Sequence, residues 1–369
     1  MPRPIAVIRS ASLSGYVDLA RSYGLDPVRM MAGAGLNVRC LEDPETPISV
    51  HAVRQLLEDS AQAAGVEDFG LQLAKGRRLA NLGPIGLVLR DEPTARQALD
   101  TLSRYLRLLN TSLLTHIEDQ ADSVIIREHI VLDSQGSVRQ SMELAVGVMY
   151  RILVELLGAQ WRPRKVCFAH RQPANAAAHR ALFGNGLEFN AAFDGIVCAA
   201  SDLQAPLPHE ASGISPIARR FLDQALSRSG RQAVGTTRQL ISALLPGGRC
   251  TAEQVAQHMG IDRRTLHRHL AAEGESFSSL VAAIRAEFAQ RQVRDSDRSS
   301  AELAQLLGFS GASAFAYWFR CRFGCTVSQV RAERGPLAGV LMYPSTPETP
   351  PSPWLPLASG RLRAEAGAT

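Results

Sequence analysis

The sequence predicts an α+β protein: a mixed α/β N-terminal part followed by an all-α part built on a tandem helix-turn-helix. Helical and strand periods alternate up to about residue 200, whereas residues 231–334 show helical periods only. The helical part also repeats itself at an offset of 48–50 residues. A change of period together with an internal repeat predicts separate domains on one chain.

Composition limits the class of protein. The 369 residues suit two or three domains of about 150 residues each. The net charge of +5 comes almost entirely from arginine, because lysine occurs only at Lys75 and Lys165. Six cysteines lack the spacing of a disulfide framework, and there is no signal-peptide core or apolar run of about 20 residues. We therefore expect a cytoplasmic protein with reduced thiols and no membrane segment.

The first half begins with helices and continues with strands. Three amphipathic stretches, "LSGYVDLARSYGL", "PVRMMAGAG" and "SVHAVRQLLEDSAQAAG", precede a longer helix in "PTARQALDTLSRYLRLLN". Its leucines recur at i, i+3, i+7 and i+10, which favours one buried face. Strands are then predicted in "SLLTHIED" and "DSVIIREHIVL", a helix in "SMELAVGVMYRILVELLG", and short strands in "RKVCFAH", "LEFNAAF" and "DGIVCAA" around a helix in "AAAHRALFG".

Loop and linker composition gives the domain boundaries. The Pro-, Ser- and Gly-rich "LQAPLPHEASGISP" predicts a loop, and "IARRFLDQALSRSG" predicts a connecting helix. The proline-dense tail cannot build a core, so we expect it to be disordered. The predicted division is an N-terminal sensor domain over 1–210, a linker over 211–230, the helical domain over 231–334 and the tail over 335–369.

The repeat aligns "EQVAQHMGIDRRTLHRHLAAEG" with "ELAQLLGFSGASAFAYWFRCRFG". Each copy has a small Ala in the first helix, a Gly at the turn and two apolar residues four apart in the second helix. Small residues allow close helix packing, and Gly260 can take the positive φ that ends a helix. The pattern is typical of a helix-turn-helix. The matched pairs are Ala256 with Ala304, Gly260 with Gly308, Leu266 with Phe315, Leu270 with Phe319 and Gly274 with Gly324.

The second helix of the first copy carries an arc of basic side chains. Asp262 is a favourable N-cap, and Leu266 and Leu270 mark the face to be buried. The opposite face and its flanks carry Arg263, Arg264, Thr265, His267, Arg268 and His269. Arg and His can reach acceptors on guanine, and a helix N-terminus favours phosphate. An isolated arginine-rich face is more often only solvated, but the tandem helix-turn-helix favours DNA binding.

A long helix is predicted between the two copies. Its apolar stripe consists of Phe277, Leu280, Val281, Ile284 and Phe288. A helix of this length can hold two recognition helices so that they enter successive major-groove segments about one turn (~34 Å) apart. The residues expected to contact backbone phosphates from it are Arg285, Arg291 and Arg294.

This region resembles the DNA-binding domain of the AraC/XylS family of bacterial transcription regulators. The resemblance covers about a hundred residues and rests on "VAQHMGIDRRTLHRHL", "IRAEFAQRQV", "AELAQLLGFSGASAFAYWF" and "FGCTVSQVR". It implies base contacts from both recognition helices. With the flanking Arg263 and Arg320, the implied DNA-binding residues are Arg263, Arg264, His267, Arg268, Ala312, Ser313, Tyr317 and Arg320.

The second copy departs from the family pattern. The family usually has Arg at the position of Tyr317, a basic residue at that of Cys321 and Pro at that of Val327. A tyrosine can hydrogen-bond phosphate or stack, but it cannot form a bidentate contact with guanine. We therefore predict that the first copy dominates sequence specificity.

The N-terminal half resembles, more loosely, the effector domain of one AraC-like subgroup. The matching stretches are "LGPIGLVLRDEPTARQALDTLSRYLRLLN" and "VCFAHRQPANAAAHRALFGNGLEFNAAFDGIVCAASDLQAPLP". This resemblance implies control by a small-molecule effector, without identifying it. No pocket residue is assigned. Arg90, Arg107 and His116 could face a carboxylate ligand, although a surface role is favoured for each.

The sequence offers little support for an enzyme. AraC-type regions also occur in DNA-repair alkyltransferases, which use a cysteine to accept the alkyl group, but no Pro-Cys-His-Arg motif is present. Cys321 and Cys325 are four residues apart, where packing is favoured over a metal site. We therefore expect no catalytic residue, no cofactor and no metal. The expected partners are double-stranded promoter DNA, RNA polymerase, a small effector and a second copy of the chain, and the expected effect is activation.

Overall fold

The structure is a computed structural model. It describes residues 6–131, 136–207, 215–228, 233–245, 250–259 and 261–332. The predicted φ of Gly260 and the predicted disorder of 335–369 lie outside the described residues.

Six helices precede the main sheet, and side-chain caps begin several of them. Asp26 accepts hydrogen bonds from Val28 N and Arg29 N, Ser49 accepts from Ala52 N, and Thr94 accepts from Gln97 N. The helices are α1 (Tyr16–Ser22), α2 (Pro27–Gly33), α3 (Val50–Ala64), α4 (Phe69–Ala74), α5 (Pro84–Arg90) and α6 (Ala95–Leu109). Strands β1 (Val7–Arg9) and β2 (Pro47–Ser49) pair antiparallel beside them.

The main sheet has five strands in the order β3-β4-β7-β5-β6. All neighbours are antiparallel except β5 and β6, which are parallel. The strands are β3 (Leu113–Asp119), β4 (Ser123–Ile130), β5 (Lys165–Cys167), β6 (Leu187–Glu188) and β7 (Asp194–Ala199). The associated helices are α7 (Arg139–Leu157), α8 (Ala177–Phe183) and α9 (Ala200–Gln204).

Helix α7 joins the two apolar cores of the N-terminal part. It packs against α3 and α4 on one side and against β4 and β7 on the other. A Cβ added at Gly147 would lie 2.5 Å from the Ala74 Cβ, so α4 can approach α7 only at a glycine. The helix is therefore buried on several faces, which explains its nearly continuous apolar sequence.

The predicted connecting helix forms part of the N-terminal core. Helix α10 (Ser215–Arg228) packs against α5 and α6 and buries Ala218 and Leu222. An ion pair of 2.8 Å joins Arg219 Nη2 to Glu92 Oε1 at the same contact. Ala218 and Leu222 of α10 are thus covered by the N-terminal part, so α10 is not a free connection.

The C-terminal part is a tandem helix-turn-helix, as predicted. Helix α14 contributes Leu280 and Ile284 to the first copy's core, and Phe288 and Val293 to the second copy's core. Gly308 ends its helix with a φ of +74°. The helices are α11 (Ala233–Leu244), α12 (Ala252–His258), α13 (Arg263–Ala272), α14 (Phe277–Asp295), α15 (Ser300–Leu306), α16 (Ala312–Phe323) and α17 (Val327–Ala332).

The sensor sheet docks on α14. The rings of His129 and Phe288 stack with centroids 5.8 Å apart, and Arg291 Nη2 lies 3.0 Å from His129 Nδ1. Arg171 N donates to Asp295 O at 2.8 Å. The helix that joins the two helix-turn-helix copies is therefore also the helix that the N-terminal sheet contacts.

Within the described ranges, no helix combines the length and the apolar character that crossing a membrane requires.

Candidate nucleic-acid interface

Helix α13 forms as predicted from its cap and its apolar pair. Asp262 accepts hydrogen bonds from Thr265 N at 2.8 Å and from Thr265 Oγ1 at 2.9 Å, and these bonds lower the pKa of its carboxyl group. The helix begins at Arg263, and Leu266 and Leu270 are fully buried. The rotation of the helix about its axis is therefore fixed by burial.

With the leucines inward, the basic side chains point to solvent. The exposed residues of this arc are Arg263, Arg264, His267, Arg268 and His269. Arg263 Nη1 pairs with Glu253 Oε1 of α12 at 2.7 Å, whereas Arg264 forms no ion pair with any residue the structure describes. Arg268 Nη2 has only a long contact of 3.5 Å with Thr265 Oγ1. Arg264 and Arg268 are consequently the cations most available to a polyanion.

Helix α16 presents fewer basic side chains than α13, and both of its arginines lie in its last turn. Phe315 and Phe319 are fully buried, and the side chain of Tyr317 is 65% exposed on the opposite side. Ser313 and Arg320 are exposed, and Ala312 is half-buried. The two predicted recognition helices share a buried frame but differ in charge, which agrees with dominance of the first copy.

Two of the α14 arginines predicted to contact phosphate instead contact other residues of the protein. Arg291 faces His129 of the sensor, and its guanidinium also lies 5.4 Å from the ring centroid of Phe288. Arg285 lies over the ring of Phe309, and burial lowers its pKa. The prediction that Arg291 is available to phosphate is wrong for this arrangement, because its guanidinium group contacts His129 of the docked sensor. The apolar stripe of α14 could not predict this contact, because it carries no information about the residues of the sensor.

Three of the cysteines do not show the activation that alkyl transfer requires. Burial raises the pKa of Cys250 to about 11, and those of Cys167 and Cys198 to about 12, which keeps these thiols protonated. Cys321 is exposed, and Cys325 packs at the edge of the second core. The alkyltransferase interpretation thus has no structural support from these thiols.

The sensor contains a buried charge cluster that sequence reasoning missed. The Nε2 atoms of His170 and His179 lie 3.2 and 3.1 Å from Glu143 Oε1, and all three side chains are buried. Burial alone would raise the pKa of Glu143, but the close approach of His170 Nε2 and the hydrogen bond with His179 Nε2 hold it at about 2. The residues are far apart in the sequence, so no local pattern signals the cluster. Across the described part of the chain, no group of three or more ligating side chains is arranged to hold a metal.

The three sensor residues considered from the sequence fall in separate places. Arg90 Nη2 pairs with Glu155 Oε1 at 2.9 Å, and Arg107 Nη2 donates to Leu226 O at 3.0 Å. His116 lines a cleft between β4, β7 and α14. The structure therefore does not bring Arg90 and Arg107 together with His116.

Comparisons with known proteins agree with this geometry. Residues 24–207 match the family described as the arabinose-binding domain of the AraC transcription regulator, N-terminal, and residues 255–333 match a helix-turn-helix domain family. The HTH-type transcriptional regulator VirS of Mycobacterium tuberculosis is 29% identical over 332 residues, covering 89% of this chain and 98% of that protein. The ornithine utilization regulator of Pseudomonas aeruginosa is 23% identical over 309 residues, covering 82% of this chain and 90% of that protein.

Among solved structures, the transcriptional regulator CdpR of Pseudomonas aeruginosa aligns with 86% of this chain and 98% of its own, at 19% identity and a TM-score of 0.40. The two matched families occur in the same order along the chain as the sensor and the helical domain described above. The exposed basic helix lies within the second of them. The chain belongs to the AraC/XylS family and is a DNA-binding transcription regulator.

Proposed function

We propose that this regulator reads promoter DNA mainly through α13. The supporting observation is the exposed basic arc opposite the buried leucines, which leaves Arg264 and Arg268 facing solvent. Arginine forks match the two acceptors of guanine in the major groove. The proposed DNA contacts are Arg263, Arg264, His267 and Arg268 from α13, and Ala312, Ser313, Tyr317 and Arg320 from α16.

We further propose that a small metabolite acts on the sensor and that the docked sensor passes the signal to the DNA-binding domain. The match to the arabinose-binding family over 24–207 supports an effector, and the contact of His129 with Arg291 supplies a direct connection to α14. One relative is named for ornithine utilization, which supports control of a catabolic function.

The regulatory outcome we propose is activation, through recruitment of RNA polymerase to the promoter in the cytoplasm. Self-association would place two chains on one promoter. It is supported by Ile217 and Phe221, which lie one turn apart on α10 with side chains 72% and 60% exposed, and by exposed Leu87 on the neighbouring α5. We propose no catalytic activity, cofactor or metal for this chain.

A salt titration of DNA binding tests the function. The affinity for duplex DNA should fall steeply with salt, with a log–log slope of about −0.9 for each phosphate neutralised. The double variant Arg264→Ala/Arg268→Ala should weaken binding and reduce the slope by up to about 2, because two cations that displace counterions from the groove are removed. Arg21→Ala, an exposed arginine on α1, is the charge-matched control. Affinity that is absent at low salt, or indifferent to salt, would contradict the proposal.

A further inference from the structure

A small cleft lies where the sensor sheet meets the DNA-binding domain. Its volume is about 30 Å³, which is room for one or two groups of the size of water. The sensor residues that line it come from β3, β4, β7 and the loops beside them, and the others come from α11 and α14. The polar lining residues are His116, Arg127, Glu128, His129, Asp194, Ser242, Arg291 and Gln292.

Two polar atoms of the DNA-binding domain lack partners at this cleft. The side chains of Ser242 on α11 and Gln292 on α14 are 3% and 2% exposed. Neither Ser242 Oγ nor Gln292 Oε1 has a hydrogen-bond partner among the described residues. An unsatisfied buried polar atom is destabilising, so two of them beside one cleft indicate that something polar fills it.

The sensor contributes two carboxyl groups to the same cleft. Glu128 of β4 and Asp194 of β7 are directly opposite each other in the antiparallel register, and both are buried. Thr115 Oγ1 donates to Glu128 Oε1 at 3.0 Å, and Ala169 N donates to Asp194 Oδ1 at 2.8 Å. Two like charges at opposed positions destabilise a sheet unless one is protonated or a cation lies between them.

The basic groups already present do not balance these carboxyl groups. Arg127 is paired with Glu118 at 3.0 Å, and burial lowers the pKa of His129, which therefore stays neutral. Arg291 is shared between Asp194 and Asp295 of α14, with His170 near both aspartates and Arg294 near Asp295. Burial accordingly raises the pKa of Glu128 to about 8 and also raises the pKa values of the two aspartates. Glu128 is therefore protonated at neutral pH, and a bound cation would take the place of its proton.

We propose that the cleft binds the primary ammonium group of a small effector, with Glu128 and Asp194 facing the charge and Ser242 and Gln292 accepting its hydrogen bonds. An ammonium group has three donors and the size that the cleft admits. Because the lining comes from both domains, an occupied cleft holds the sensor on α11 and α14. The inference rests on the proposed function, since it gives the effector a chemical class and a place.

The direct test uses the full chain and simple salts at constant ionic strength. Methylammonium chloride should raise the melting temperature with a saturable dependence on concentration. Tetramethylammonium chloride has the same charge but no N–H donor, and it should behave like sodium chloride. Because Arg291 Nε also lacks a partner, sodium acetate tests for an anion site. Stabilisation by acetate, or equal effects of the two ammonium salts, would overturn the assignment.

Two variants test the named contacts. Ser242→Ala should weaken methylammonium binding about 3- to 10-fold and leave the melting temperature of the free protein unchanged or higher, because Oγ has no protein partner. Glu128→Gln should weaken binding about 10- to 100-fold. Ser103→Ala on α6 is the matched control, because its hydroxyl is likewise buried and unpartnered but lies outside the cleft. Unchanged affinity in both cleft variants would refute the site.

Proton linkage gives a readout that a purely structural role for Glu128 would not produce. Since the ammonium group replaces the proton on Glu128, affinity should rise about tenfold per pH unit up to about pH 8 and then level off. Glu128→Gln should abolish this dependence. The other titratable and charged groups around Glu128, Asp194 and Asp295 are His116, Arg127, His129, Glu143, His170, Arg291 and Arg294.

The same protein preparations separate the two proposals. If methylammonium does not bind but DNA affinity remains salt-dependent and sensitive to Arg264 and Arg268, the cleft assignment fails and the regulator function stands. If methylammonium binds but duplex DNA does not bind at low salt, the cleft stands and the proposed DNA contacts fail.

Discussion

Arg268 and Tyr317 occupy matching positions in the two helix-turn-helix copies but offer DNA different chemistry. Arg268→Ala should cost about 1–3 kcal/mol of sequence discrimination, because a guanidinium can pair with two acceptors of guanine. Tyr317→Ala should cost less, because a tyrosine offers one hydroxyl group. The measurement is a titration against a site selected from random duplexes and its single-base variants, with Arg21→Ala as control. A larger loss for Tyr317→Ala would reverse the ranking of the two copies.

The Glu143 carboxylate should make the sensor sensitive to acid. Its pKa of about 2 lies below the unfolded value of 4.5, so its contribution to stability is complete above pH 4.5 and is lost as the pH falls towards 2. Glu143→Gln should lower the free energy of unfolding at pH 7 by about 3–5 kcal/mol and flatten this acid limb. Denaturant melts from pH 2 to pH 7 measure both effects.

Glu118→Gln is the control for Glu143→Gln, because Glu118 pairs with Arg127 at a half-exposed site. Its loss should cost no more than about 1 kcal/mol. Similar costs for the two variants would contradict a special role for the buried cluster.

At the scale of elements, Gly308 tests the turn between α15 and α16. Its φ is +74°, and nothing lies within 4 Å of an added Cβ. Gly308→Ala should therefore destabilise the second copy by about 1 kcal/mol through backbone strain alone. Thermal melts of the full chain can detect this change. Gly311 has an extended φ of 170° and caps α16, so Gly311→Ser should be neutral or stabilising. Equal losses of stability in the two variants would contradict the role of the positive φ at Gly308.

The long periodic elements and the short strands β5, β6 and β7 were predictable, whereas β1 and β2 were not. The leucine spacing of α6 and the alternation in β3 and β4 identify these elements because each carries a strong local signal. The three-residue strands β1 and β2 lack any such signal, and tertiary pairing decides them. For the candidate interface, the outward face of α13 follows from its two leucines. The contact between Arg291 and His129 does not, because it joins residues 162 positions apart.

At the scale of the whole molecule, the docked sensor should protect α14. Arg291→Ala removes the hydrogen bond to His129 and the cation over Phe288, so amide exchange in α14 should become about 10- to 100-fold faster. Arg294→Ala removes the same charge from the same helix and serves as control. Hydrogen-exchange mass spectrometry reports both. Unchanged protection in Arg291→Ala would mean that the docking does not depend on this contact.

Helix α14 belongs to both apolar cores of the DNA-binding domain, so it fixes the distance and rotation between the two recognition helices. This fixed geometry in turn sets the spacing of the two half-sites along the duplex. Inserting five base pairs between them would turn the second half-site to the far side of the helix, since one turn takes about 10 base pairs. Such an insertion should therefore abolish the contribution of α16, even though every contacted base is retained.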